Sequence, residues 1–114
     1  PEIDRMEQIF IVMTHMPDAA SGEALAGALV EARLAACVNL STAQSVYQWQ
    51  GKIERANEVT LTIKTTQRHY TALESAIRAA HPYELPEIIA LPVVAGLPEY
   101  LQWIVAETSP GHHA

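Results

Sequence analysis

The chain has 114 residues, 49% of them apolar and only 18% charged, with a formal net charge of −6. That is one domain's length with apolar surface to spare, and its negative field repels phosphates, which argues against a nucleic-acid partner. A single cysteine, Cys37, excludes an intrachain disulfide; no apolar run is long enough to span a membrane, and Pro1 to Arg5 lack a basic-then-apolar leader, so a cytoplasmic setting is expected.

Residues 1–7 read as a loose polar start. Ile9 to Met13 is a short β-branched and apolar run, hence a buried strand. Met16-Pro17-Asp18 breaks it, and Asp18 or Ser21 is placed to cap a helix whose stripe is Leu25, Ala28, Leu29, Ala32 and Ala36. Gly27, inside that helix, suggests a close packing contact. Cys37 to Leu40 predicts a second strand. Ser41-Thr42-Ala43 suggests a bulge or bend before the alternation resumes at Ser45, Tyr47 and Trp49. Gly51-Lys52 reads as the hairpin turn. Val59, Leu61 and Ile63 then alternate with Glu58, Thr60, Thr62 and Lys64, predicting a strand with one core face and one polar face.

Thr66 is a candidate cap for a second helix with Tyr70, Leu73, Ala76, Ile77 and Ala80 as its stripe, ended by His81-Pro82. Ile88 to Leu91 with Val93-Val94 predicts a last core strand, Pro92 marking an edge or bulge. Pro98 fits the first turn of a third helix faced by Leu101, Ile104 and Val105. Residues 109–114 read as a polar tail. The fold class expected is α/β in the α+β sense: a single ferredoxin-like βαββαβ domain over 1–114, with an extended hairpin, a C-terminal helix, both long helices on one face of the sheet and the other face bare. The hairpin carries Tyr47 and Trp49 where two layers cannot cover them, which points to self-association.

Three stretches carry a family resemblance. They are Leu29-Val30-Glu31-Ala32-Arg33-Leu34-Ala35-Ala36-Cys37-Val38-Asn39; Tyr47-Gln48-Trp49-Gln50-Gly51-Lys52-Ile53-Glu54 running on to Ile63-Lys64-Thr65; and His81-Pro82-Tyr83-Glu84-Leu85-Pro86-Glu87-Ile88, followed by Leu91-Pro92-Val93 and Tyr100-Leu101-Gln102-Trp103. Together they resemble the CutA (divalent-cation tolerance) family. The resemblance implies a cytoplasmic homotrimer joined by its long hairpins and similar to the PII signalling proteins. It implies no enzymatic activity, a link to divalent metals and copper in particular, and a ligand cleft between subunits near the His-Pro-Tyr segment.

In copper-binding members the ligands are a cysteine and a histidine pair. Those positions fall here on Thr14 and on Ala80 and His81, so one ligand of three is kept. The metal candidates are therefore His81 with His15 or Met16 in place of the missing cysteine, imidazole and thioether both suiting copper or another divalent cation. The cleft candidates are Tyr47, Trp49, Lys64, Tyr83, Glu84, Glu87 and Trp103. Each has a plainer use. The aromatics serve an interface, Lys64 a surface ion pair, His81-Pro82-Tyr83 a rigid helix stop, Glu84 and Glu87 a solvated face, and Cys37 apolar packing rather than a redox role. The terminal His112 and His113 are adventitious metal chelators to remove in a control.

The principal reading is a trimer that binds a metal or small ligand at an intersubunit cleft. One alternative is a small trimeric enzyme with acid–base groups at subunit boundaries, using His81 with Tyr83 or Glu87, or Pro1 as a base. Another is a structural or adaptor trimer.

Overall fold

The computed structural model describes residues 7–109; the expectations for Pro1, His112 and His113 lie outside them. The elements run β1 (Ile9–Met16), α1 (Ala19–Glu31), β2 (Cys37–Trp49), β3 (Lys52–Thr66), a 3-10 turn (Gln67–His69) leading into α2 (Tyr70–Ala80), β4 (Ile89–Pro92) and α3 (Pro98–Glu107). The sheet order is β2-β3-β1-β4 with every neighbouring pair antiparallel. This is the expected βαββαβ arrangement with an added C-terminal helix.

The alternation in β3 works as read. Leu61 and Ile63 pair with Thr14 and Val12 of β1 and with Leu40 and Val38 of β2, so these side chains share one face. Leu25 and Leu29 of α1 and Leu73 and Ile77 of α2 close over that face to form the main core. Ile9 and Ile104 are buried apart from it, where α3 packs against β1 and β3. Glu7, the last residue of the polar start, pairs with Arg68 at 2.8 Å.

Asp18 caps α1, its carboxylate accepting from the Ser21 N–H at 2.8 Å. The helix stops earlier than its apolar stripe suggests. Arg33 takes a left-handed backbone, φ 62°. The N–H groups of Arg33 and Leu34 fold back to the carbonyls of Val30 and Leu29, the 5→2 and 6→1 pair of a Schellman stop. Ala32 is therefore the cap and Ala36 lies outside the helix; the buried face is Gly22, Leu25, Ala26 and Leu29. Gly27 has open space around its Cα. Gly22 is the close contact, since a Cβ there would meet Leu40 and Val59 at 3.3 Å.

Four further expectations are corrected. The 41–43 segment is neither bulge nor bend, for β2 pairs with β3 in unbroken register from Cys37↔Lys64 to Trp49↔Lys52. That register makes the turn Gln50-Gly51, both at positive φ (52° and 81°), as a type I′ hairpin needs. Thr66 does not cap α2 through its side chain; its hydroxyl bonds His69 Nδ1 at 2.7 Å. The last strand is a four-residue edge with only one face on the core: Ile88 and Ala90 pack against it, while Ile89 and Leu91 are about half exposed and Val94 almost wholly so.

Thr14 is 0% exposed, on the core face beside Leu61, and its hydroxyl has no hydrogen-bond partner among the described residues. A buried hydroxyl left unpaired costs about 1–3 kcal/mol. Thr14→Val keeps the shape and removes that cost, so chemical denaturation should show a gain of about 1 kcal/mol. A loss of stability would show that the hydroxyl is hydrogen-bonded in the folded protein.

Candidate functional site

The face of the sheet turned away from the main core carries the polar alternates. In the observed register Ser45, Tyr47 and Trp49 of β2 lie on the same side as Glu58 and Thr60 of β3 and His15 of β1. At the end of α2, His81 leaves helical geometry (ψ 133°), as a residue before proline does. Residues 82–88 then cross beside the ribbon without regular structure. Between this segment and the ribbon lies a hollow of about 620 Å³, lined by His15, Ser45, Tyr47, Trp49, Glu58 and Tyr83, with Val46, Glu84, Leu85 and Glu87 completing the wall.

Glu58 anchors the site. It is only 8% exposed. Ser45 Oγ donates to its Oε1 at 2.6 Å and the Tyr83 hydroxyl to its Oε2 at 2.8 Å. Burial pushes its carboxyl up. The two hydrogen bonds, together with the imidazoles of His15 and His81, outweigh that push and hold it below the usual glutamate value. Tyr83 shows the other side of the same contact. Burial first, then donation to Glu58 and the Glu58 charge, push its phenol up to about 12.

His15 bridges β1 to the crossing segment. Its Nδ1 meets Thr60 Oγ1 at 2.9 Å and its Nε2 lies 3.3 Å from Glu87 Oε1. His81 uses both ring nitrogens on backbone. Nδ1 accepts from the Tyr83 N–H at 3.2 Å, which leaves Nε2 to donate to the His15 carbonyl at 2.7 Å. The rings of His81 and Tyr83 are 4.8 Å apart.

Of the expected cleft residues, Tyr47, Trp49, Tyr83, Glu84 and Glu87 come together here. Lys64 and Trp103 do not line this hollow. Lys64 hydrogen-bonds Asn39 beside Cys37 at the opposite end of the ribbon, and Trp103 stacks on Tyr100 within α3 at 5.4 Å. Of the expected metal residues, His15 faces the hollow, but Met16 is 2% exposed in the main core, and strand alternation turns it the other way. His81 supports the wall and has no free ring nitrogen in this arrangement. Thr14 is sealed in the core, and Ala80 brings no ligand atom. Among the described residues no three His, Cys, Asp or Glu side chains converge as a metal site. Cys37 is half-buried, with Asn39 Oδ1 at 3.8 Å from its sulfur.

Ser45 and Glu58 were not among the residues singled out from the sequence. Alternation put Glu58 on the polar face but carried no sign that residues 82–87 would cover it. The signal available was the hairpin itself: a tight turn near 50–52 brings Ser45 and Glu58 onto one face in adjoining rows.

A family model described as CutA1 divalent ion tolerance protein matches residues 10–107. A relative from Thermus thermophilus, "Divalent-cation tolerance protein CutA", is 41% identical over 99 residues, covering 86% of this chain and 96% of its own. The crystal structure of CutA from Xylella fastidiosa superposes with a TM-score of 0.86 at 46% identity, covering 89% of this chain and 98% of that one. That of CutA1 from Oryza sativa gives 0.88 at 37% identity, covering 92% and 97%.

The Tyr83–Glu58 contact predicts an alkaline signature. Tyr83's folded value is raised, so the stability its protonated form contributes is intact below the ordinary tyrosine range near ~10 and is lost as pH climbs towards about 12. In a phenolate absorbance titration Tyr83→Phe should remove a late step near about 12, and Glu58→Gln should move that step to lower pH. A titration unchanged in Glu58→Gln would show that the two side chains are not coupled.

Proposed function

Because the chain belongs to the CutA1 divalent ion tolerance protein family, we propose that it serves divalent-cation tolerance in the cytoplasm as a homotrimeric, PII-like binding protein whose hollow receives a cationic ligand. The observation that carries this reading is the charge of the hollow. Glu58, Glu84 and Glu87 line it, no lysine or arginine does, and none of the ion pairs among the described residues involves Glu58. A buried carboxylate favours a positive partner. One coming from solution makes the hollow a cation site.

The trimer is supported by the ribbon. Val46 and Ile53 are 63% and 62% exposed, and Tyr47 is 45% exposed on the other face. Nothing among the described residues of one chain is laid over them, whereas a second copy brings the same apolar ribbon. In that arrangement a neighbour's ribbon closes the open side of the hollow, and Lys64 and Trp103, distant within one chain, become candidates to line the cleft from an adjacent subunit. The reading is of a binder rather than a catalyst, copper or another divalent cation being the stress it answers.

Two measurements test it. Sedimentation at micromolar concentration should give a trimer, and Val46→Asp with Ile53→Asp should shift it to single chains; a folded wild-type monomer would overturn the assembly. In a bacterial host deleted for its own relative, the wild type should restore growth at raised copper and a trimeric Glu58→Gln variant should not. Equal rescue by both would remove the hollow from the function.

A further inference from the structure

If the hollow is the ligand site, as proposed above, we infer that its occupant is a small organic ammonium compound, held by its N–H groups on Glu58 and by its carbon-bound hydrogens on Tyr47, Trp49 and Tyr83, and not a bare divalent ion. The first reason is coordination. Magnesium and calcium take six or more oxygens at roughly 2.0–2.6 Å, and copper takes convergent nitrogen or sulfur donors. Among the described residues no three His, Cys, Asp or Glu side chains of one chain converge. Both Glu58 oxygens already accept a hydrogen bond, from Ser45 and from Tyr83, and His15 is engaged with Thr60 and Glu87.

The second reason is capacity. A carboxylate has about four lone-pair sites, so after Ser45 and Tyr83 about two remain on Glu58. Those suit one or two ammonium N–H donors at ordinary hydrogen-bond distance. An ammonium group bonded in this way needs no dehydrated shell of ligands. It also brings a positive charge into direct contact with the buried carboxylate, which no ion pair among the described residues does.

The third reason is shape and wall chemistry. About 620 Å³ is the size of a small-molecule pocket rather than an ion's seat. Tyr47, Trp49 and Tyr83 present aromatic surface to it, and aromatic faces attract organic cations within about 6 Å of the ring centre. Glu84 and Glu87 lie at the same wall, where they add negative charge for a second ammonium group at the far end of a short chain.

The test is calorimetric titration of the trimer of this 114-residue chain with butylammonium chloride and with diaminobutane dihydrochloride. Butanol serves as the uncharged control, and magnesium and copper(II) chlorides as bare ions, with His112 and His113 replaced by alanine. Saturable heat is expected from both amines, stronger from the diamine, and none from butanol. Glu58→Gln should weaken the amines about tenfold or more, the worth of one charge-assisted hydrogen bond. Because Glu58 also holds Tyr83, Glu84→Gln is the second variant. It leaves the Ser45–Glu58–Tyr83 bonds alone and should weaken the diamine more than the monoamine. Saturable binding of a bare divalent ion that disappears in Glu58→Gln, with no amine binding, would overturn the inference and leave the ligand site standing. Binding of neither class by an intact trimer would overturn both.

Discussion

Two strands of this sheet are much longer than the other two. β2 and β3 have 13 and 15 residues, β1 and β4 only 8 and 4. β1 accompanies β3 only from Val59 to Thr66, so residues 52–58 have β2 as their sole strand partner. A two-stranded ribbon is marginal in water by itself. The overhang also draws the chain out to 51 × 28 × 21 Å with a radius of gyration of 15.3 Å, against about 13 Å for a compact domain of this length. What steadies the ribbon's base is the 81–87 segment, while at its tip Val46 and Ile53 stay largely exposed.

Glu58 stands at that junction, one residue beyond the last β1 pair. Placing a carboxylate there looks costly until its neighbours are counted. Ser45 reaches it along the ribbon and Tyr83 from the crossing segment, so the charge is held by hydrogen bonds from two separate elements. One interaction thus does two things. It ties the irregular segment to the ribbon, and it fixes a negative charge at the floor of the hollow that the segment creates. His81 works to the same end through backbone alone, linking the start of the segment to β1.

How far this was legible follows from the range of each signal. Asp18, Pro98 and the Val59–Leu61–Ile63 alternation are local chemistry, and each element formed where local chemistry put it. The early stop of α1 was hidden because arginine, not glycine, takes the left-handed position at residue 33. Its side chain donates to the Glu107 carbonyl at 2.7 Å, a contact 74 residues distant that no local pattern carries. Ser41 to Ala43 looked like a break because their side chains are small and polar, yet the ladder beneath them is continuous. The aromatic and acidic wall was readable from the residues alone. Its anchor was not, because whether a polar alternate such as Glu58 is wet or buried depends on a loop that returns from the far end of α2.

β2 is not only long; it is an outside strand. Alternate backbone amides and carbonyls along its 13 residues face away from β3 and have no ladder partner among the described residues. β4, at the opposite margin, is four residues long and ends in Pro92, which offers little to add to. The two margins of the sheet are therefore unequal: β4 offers an incoming extended segment little to pair with, whereas β2 offers a long, regular ladder.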